Sequence, residues 1–113
     1  MTGSGKSLPS DAILSDPDAS ADLDDIRRYL ARVPQRYAAP IRQALRSLLH
    51  DIAANPQRGA NHGLATGILG EEVKSRPLPP YRIFHRDDNG IPEILGIIDM
   101  RRDMATILAK RVQ

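Results

Sequence analysis

The N-terminal half of the chain repeats apolar positions with the period of an α-helix. The first stripe consists of Ala19, Leu23, Ile26, Leu30 and Val33, which share one helical face. Asp16 or Ser20 can cap the start of this helix, and Pro34 ends it, because proline disfavours helical geometry in the preceding residue. Before the helix, the short apolar run at 12–15 predicts an edge strand that stops at Asp16-Pro17.

A second stripe predicts a second helix directly after the first. Its apolar positions are Tyr37, Ile41, Leu45, Leu48 and Ile52, with Arg42, Arg46 and Asp51 outside the stripe. Pro40 must lie in the first turn of this helix or mark a kink. Asn55, Pro56 and Gly59 form a strong stop signal. Two amphipathic helices joined by a few residues form an antiparallel hairpin, and the C-terminal half must cover both apolar stripes.

The C-terminal half has the pattern of short strands followed by one more helix. The predicted strands span 70–77, 80–86 and 91–98. Asn89-Gly90 is a strong hairpin signal, so the second and third of these strands should pair antiparallel. The mixed, glycine-containing segment 60–69 is predicted to be a loop. After Asp99, helical register predicts a short helix at Met100, Met104, Ile107 and Leu108.

These elements predict one α+β domain at residues 11–113, preceded by a flexible N-terminal tail at 1–10. An N-terminal strand and an antiparallel helical hairpin are expected to pack on one face of an antiparallel sheet of three to four strands, with a short C-terminal helix. A chain of 113 residues is long enough for one hydrophobic core and too short for two.

Composition narrows the chemistry available to this domain. The chain has no cysteine, and His50, His62 and His85 lack the spacing of metal ligands, so we expect no metal and no cofactor. No apolar run approaches the ~20 residues of a membrane span, so we expect a cytoplasmic protein with no membrane partner. The formal net charge of +2 is too small to predict nucleic-acid binding from bulk charge.

Charge is nevertheless segregated along the chain. Residues 11–25 contain six aspartates and no basic residue. Residues 74–86 contain no acid and four cations, which are Lys74, Arg76, Arg82 and Arg86. This distribution predicts a basic face on the C-terminal half of the domain.

Four segments, in this order and spacing, resemble the RelE/ParE superfamily of toxins from bacterial type II toxin-antitoxin modules. They are SDPDASADLDDIRRYL, ANPQRG, PYRIFHR and IIDMRRD, and the resemblance extends from about Ala12 to Leu108. It implies a small toxin that forms a hetero-oligomer with a cognate antitoxin protein, whose partly disordered segment folds on the toxin. RelE-type members cleave messenger RNA on the ribosome, whereas ParE-type members poison DNA gyrase and are not nucleases, so the fold alone cannot decide between them.

Metal-free RNA cleavage needs a base, an acid and cations that stabilise charge on phosphorus. The resemblance to RelE-like enzymes matches Lys74, Arg76 and Arg82 to the basic positions of the sheet. His85 is the remaining catalytic candidate, because neighbouring cations lower its pKa and favour a neutral imidazole that accepts a proton. Strand alternation, however, places His85 on an apolar face, where it is expected to pack against the helices.

The last strand departs from the RelE pattern. Ile97 and Ile98 stand where a cationic side chain is expected, Asp99 stands where many relatives have histidine, and no tyrosine or histidine follows Asp103. We therefore expect a ParE-like toxin that acts by binding a nucleic-acid enzyme such as DNA gyrase rather than by catalysis. The alternatives are a ribosome-dependent messenger RNA endoribonuclease and an inactive relative that binds only antitoxin.

Four arginines are the candidates for contact with the target or the antitoxin. Arg82 and Arg86 share the strand face opposite His85, the expected partner side. Arg101 and Arg102 are expected at the start of the last helix, where cations oppose the helix dipole. Arginine forms bidentate bonds to phosphate and carboxylate, so this local conflict favours a binding role for the pair.

Overall fold

The computed structural model describes residues 14–112, which contain four helices and four strands. The elements are α1 (Pro17–Arg32), α2 (Gln35–Ala54), β1 (Ala60–Asn61), α3 (Gly63–Leu69), β2 (Lys74–Leu78), β3 (Tyr81–Asp88), β4 (Ile91–Asp99) and α4 (Met104–Arg111). The predicted tail at 1–10 lies outside the described residues, as do Ala12 and Ile13 of the predicted N-terminal strand, while Leu14 and Ser15 are not in a strand. No helix in the described part is long and apolar enough to cross a membrane.

Helix α1 starts and stops as the sequence predicts. The Asp16 side chain accepts hydrogen bonds from the backbone N–H groups of Asp18 at 2.8 Å and Ala19 at 3.3 Å, and Pro17 occupies the first helical turn. These contacts satisfy N–H groups that have no partner inside the helix. The helix ends at Arg32, two residues before Pro34.

The apolar stripe of α2 faces the core as predicted at Leu45 and Ile52, which are buried, and at Ile41 and Leu48, which are partly buried, but not at Tyr37. The buried residues are Ala38, Leu45, Leu49 and Ile52. Tyr37, which was predicted to face the core, is 56% exposed. The small Ala38 side chain lets the helix backbone approach its neighbours closely, and Leu49, eleven residues later, lies on the same face. The four-residue spacing from Tyr37 to Ile41 therefore gave the wrong choice between two adjacent positions.

Segment 60–69 is not the predicted loop, because it contains strand β1 and helix α3. The His62 ring accepts a hydrogen bond from the Ala65 N–H at 3.2 Å through Nδ1 and so caps the start of α3. Gly70 ends the helix in the left-handed conformation, with φ 78°, which glycine adopts without steric cost. Strand β2 consequently starts at Lys74, later than predicted.

The sheet is antiparallel with the strand order β1-β2-β3-β4. Asn89 and Gly90 join β3 to β4 with φ values of 55° and 87°. Both angles are positive, as a type I′ hairpin turn requires. The predicted hairpin and the α+β class are therefore confirmed.

Helices cover both faces of the sheet, whereas the sequence predicted cover on only one. Helices α1 and α2 cover the face that we call the hairpin face, which carries Tyr81, Ile83, Ile94 and Ile97. Helices α3 and α4 cover the opposite face, the short-helix face, which carries Val73, Phe84 and Ile98. An irregularity in the β3–β4 register, where Phe84 pairs with Gly96 and His85 with Ile94, brings Ile94 to the same face as Ile97 although the two are three positions apart along β4.

Candidate docking site

An open groove of about 400 Å³ lies on the short-helix face, beside the end of β4 and the start of α4. We call it the Arg82 groove and define it by Leu64, Arg82, Phe84, Ile98, Met100 and Arg102. Phe84 and Ile98 are buried beneath it, whereas Leu64 and Met100 are 53% and 49% exposed. The groove thus offers accessible apolar surface next to two arginines.

The acidic side chains near this groove are already engaged. Asp99 accepts from Arg101 Nε at 2.9 Å, from Arg101 Nη2 at 2.5 Å and from the Arg101 backbone N–H at 2.9 Å. These bonds to Arg101 lower the pKa of Asp99 to about 2. Asp103 accepts from the Thr106 hydroxyl at 2.8 Å and caps α4 by accepting from the Thr106 N–H at 3.2 Å, and these two bonds lower the pKa of Asp103.

Because Asp99 is paired with Arg101, the two arginines of the groove face one further carboxylate, that of Asp103, and the local balance of charge is positive. Arg82 donates from Nη1 to the Ser75 hydroxyl at 2.9 Å, a neutral partner that leaves its charge uncompensated. Arg102 is exposed and makes no salt bridge within residues 14–112. A partner that brings carboxylates and apolar side chains would satisfy both kinds of surface.

Arg101 and Arg102 do not start the last helix as predicted. They lie in the turn after β4, and α4 starts at Met104 with Asp103 as its cap. The expected conflict between these cations and the helix dipole is therefore absent. Arg101 is paired with Asp99, and only Arg102 reaches the Arg82 groove.

His85 is buried on the hairpin face, with 0% exposure. Neither ring nitrogen has a hydrogen-bond partner within the described residues. Burial, followed by the charges of Arg76 and Lys74, lowers the pKa of His85 to about 4. The ring is therefore neutral near pH 7, but the backbone at Gly59 packs against it, so that a Cβ there would lie 3.2 Å from Nε2.

The other ribonuclease candidates do not form one accessible cluster with His85. Lys74 pairs with His85 and Arg76 with Ile83 across the strands, so both lie on the hairpin face. Lys74 donates to Asn61 Oδ1 at 3.0 Å, and Arg76 forms a salt bridge to Asp51 of α2. Arg82 lies on the opposite face of the sheet and lines the Arg82 groove.

Arg86 is separated from the other three candidate docking arginines. It donates to Glu93 at 2.5 Å and to Glu71 at 2.7 Å, and Asp88 lies 3.8 Å away. Three carboxylates around one guanidinium leave it little capacity for an external anion. Of the four arginines chosen from the sequence, the structure brings Arg82 and Arg102 together at the groove.

Two residues that line the groove, His62 and Leu64, lie in segment 60–69, which was predicted to be a loop, and the sequence therefore did not identify them. Leu64 belongs to α3, and the His62 ring packs edge-on against Phe84 with 5.1 Å between ring centroids. The apolar positions Leu64 and Ile68, four residues apart and followed by Gly70, carry the sequence signal for this short helix. The two glycines inside the segment obscure that signal.

Comparison with known proteins gives one family. The model of the family described as the ParE toxin of the type II toxin-antitoxin system, parDE, matches residues 13–104. No curated protein and no solved structure gives a significant match. The matched region contains every strand, α1 to α3 and all six residues that define the Arg82 groove.

Proposed function

This chain belongs to the ParE toxin family of type II toxin-antitoxin systems, and on that premise we propose that it inhibits a nucleic-acid enzyme such as DNA gyrase by binding through the Arg82 groove. Membership implies the toxin component of such a module and a cognate antitoxin as its partner. The proposal adds the class of target and the surface that docks on it.

The observation that carries the proposal is the burial of His85 together with the separation of Arg82 from the other three catalytic candidates. His85 is fully buried on one face of the sheet, and Arg82 lies on the other. General acid-base catalysis requires the reacting groups to reach the same substrate atoms. This arrangement favours inhibition by binding over RNA cleavage.

The Arg82 groove has the features of a protein docking site. Interfaces between proteins are enriched in arginine, methionine and aromatic residues, and arginine is among the residues that most often dominate the binding energy. Met100 adds a flexible apolar side chain beside Arg102, and such side chains adapt to irregular partner surfaces. A target protein that places an acidic and an apolar residue side by side would bind here.

The antitoxin is proposed to neutralise the toxin by covering the same groove. A disordered acidic segment that folds on the toxin would meet Arg82 and Arg102 with carboxylates and bury Leu64 and Met100. Target and antitoxin would then exclude each other. Antitoxin added before the target should abolish target binding.

The experiment that tests the proposal is induction of the toxin alone, with transcript ends and plasmid supercoiling measured in the same cells. Growth arrest with intact messages and impaired supercoiling supports the proposal. Arrest with new cuts inside translated messages would instead establish a ribosome-dependent endoribonuclease. Normal growth with retained antitoxin binding would identify an inactive relative.

A further inference from the structure

All the sulfur in this chain belongs to methionine. The chain has three methionines and no cysteine, and Met1 lies outside the described residues. Met100 and Met104 both line the Arg82 groove. Cysteine and methionine are the side chains whose sulfur oxidants convert to oxygenated forms. The oxidisable sulfur atoms of the described residues therefore lie together at the proposed docking site.

The two methionines of the groove differ in their accessibility to solvent. Met100 is 49% exposed, whereas Met104 is partly buried and packs against the cluster that contains Phe84 and Leu108. A dissolved oxidant reaches a sulfur atom from solvent, so susceptibility to oxidation follows exposure. Met100 should therefore be oxidised before Met104.

The backbone at Met100 is held in place independently of its side chain. The Met100 N–H donates to the Pro80 carbonyl at 2.8 Å, and the residue lies in the turn between β4 and α4. Since about half of the side chain is exposed, a change in its polarity should leave the fold intact. Its effect should be confined to whatever binds the groove.

Oxidation changes the polarity of the groove surface. A sulfur lone pair attacks one oxygen of hydrogen peroxide, the O–O bond breaks, an S–O bond forms, and the other oxygen leaves with both hydrogens as water. Sulfur is oxidised by two electrons, and the peroxide is reduced. The apolar thioether becomes a polar sulfoxide. Leu64 and Met100 are the exposed apolar side chains that define the groove, so one of two apolar contacts for a partner is lost.

The sulfoxide also lies beside two guanidinium groups. Arg82 and Arg102 line the groove together with Met100. The new oxygen is a polar acceptor, and it would compete for these donors with the carboxylates of a partner. A sulfoxide that is buried under a partner without a hydrogen bond would instead raise the free energy of the complex. Either arrangement weakens docking.

We propose that Met100 is a reversible oxidation site, and that its conversion to methionine sulfoxide by hydrogen peroxide weakens the binding of partner proteins at the Arg82 groove. The inference rests on the proposed function, because it takes this groove as the docking site. It adds a form of regulation to that site. Peroxide switches docking off, and methionine sulfoxide reductases switch it on again.

Peroxide treatment of the purified full chain, followed by mass spectrometry, measures the modification itself. Trypsin cleaves after Arg101 and Arg102, so Met100 and Met104 fall in different peptides. Met100 should be oxidised at a rate close to that of a free methionine peptide, and Met104 more slowly. Thermal denaturation of the oxidised chain should match that of the untreated chain.

Binding of the purified cognate antitoxin to the treated chain measures the consequence. Affinity should fall at least about tenfold. Subsequent treatment with two methionine sulfoxide reductases, one for each sulfoxide epimer, should restore it. Two variants are each compared with themselves before and after peroxide. Met100→Leu keeps an apolar side chain of similar size and should lose no affinity on treatment, whereas Met104→Leu should lose as much as the wild-type chain.

Three outcomes would overturn the inference. They are oxidation of Met104 before Met100, undiminished antitoxin binding by the Met100 sulfoxide, and a loss of affinity that persists in Met100→Leu. The variant Met100→Glu separates this failure from failure of the proposed function. If Met100→Glu binds antitoxin normally, the groove is not the docking site and both proposals fall. If Met100→Glu is impaired but the sulfoxide is not, only the oxidation site falls.

Discussion

Asp22 and Arg111, 89 residues apart in the chain, form a bidentate ion pair in which two guanidinium nitrogens donate to the two carboxylate oxygens at 2.8 and 2.7 Å. Asp22 Oδ2 also accepts from the Ile97 backbone N–H on β4 at 2.9 Å. The two side chains are only 14% and 19% exposed. One carboxylate thus joins α1, the last strand and α4.

Removal of Arg111 should destabilise the fold. Arg111→Ala leaves a shielded carboxylate with only its backbone partner, and the expected loss in free energy of unfolding is about 1–3 kcal/mol. Urea denaturation at neutral pH measures it. The control Arg28→Ala breaks a pair whose side chains are 66% and 71% exposed, and it should change stability little. Equal effects of the two substitutions would contradict a structural role for the Asp22–Arg111 pair.

Gly96 leaves room for that ion pair. A Cβ at this position would lie 2.9 Å from Arg111 Nη1, so Gly96→Ala should displace the guanidinium from Asp22. We expect Gly96→Ala to destabilise the wild-type chain but to have much less effect in an Arg111→Ala background. A double-mutant cycle by urea denaturation measures this coupling, expected at about 0.5–3 kcal/mol. Strictly additive effects would show that the glycine serves another purpose.

The sequence predicts the elements with strong local signals and fails where long-range packing decides. Asp16 and Pro34 bound α1 correctly, and Asn89-Gly90 places the β-hairpin, because capping and turn geometry depend on near neighbours. The choice between Tyr37 and Ala38 depends on how closely α2 approaches the elements beneath it. No periodicity within one helix contains that information.

The candidate site was only partly predictable for the same reason. Strand alternation correctly separates His85 from Arg82, because side chains alternate between the two faces of a strand. The contact of Arg86 with Glu93 follows from the register of the predicted Asn89-Gly90 hairpin, which pairs the two residues. Its contact with Glu71, which precedes β2, was not predictable. Leu64 and Met100 line the same groove. To predict this, one must know that α3 forms and in which order the strands lie in the sheet. Charge patterns thus identified candidate cations but not their intramolecular partners.

His85 should make stability depend on pH. Its pKa is lowered from 6.5 to about 4 in the folded protein, so the unfolded chain takes up a proton at a higher pH than the folded one. The stabilising contribution is present above about pH 6.5 and declines as pH falls to about 4, by up to about 1.4 kcal/mol per pH unit. The non-titrating variant His85→Leu should have a flatter profile in this window.

Urea denaturation at several pH values measures that profile. The control His50→Gln replaces an exposed histidine of α2 and should retain the wild-type pH dependence. Asp99, with a pKa lowered to about 2, contributes stability that is lost only as pH falls below about 4. An unchanged profile in His85→Leu would show that the ring is not buried as a neutral base.

Substitutions at the Arg82 groove should impair binding without unfolding the protein. Met100→Glu places an anion among exposed apolar side chains, and Arg102→Glu reverses the charge that an acidic partner would meet. Each change should weaken binding to target or antitoxin by at least about 30-fold, the size expected for an interface hot spot. Because both side chains are exposed, thermal denaturation should show near wild-type stability.

Matched controls distinguish this groove from the general surface. Ile91→Glu introduces the same charge at a residue that is 63% exposed beside the β3–β4 turn, and Lys110→Glu reverses an exposed cation on α4. Both controls should still arrest growth and inhibit supercoiling, whereas the groove variants should do neither. If Met100→Glu and Ile91→Glu arrest growth equally, the target binds elsewhere, because an anion cannot be placed in the centre of a desolvated contact without a large loss of affinity.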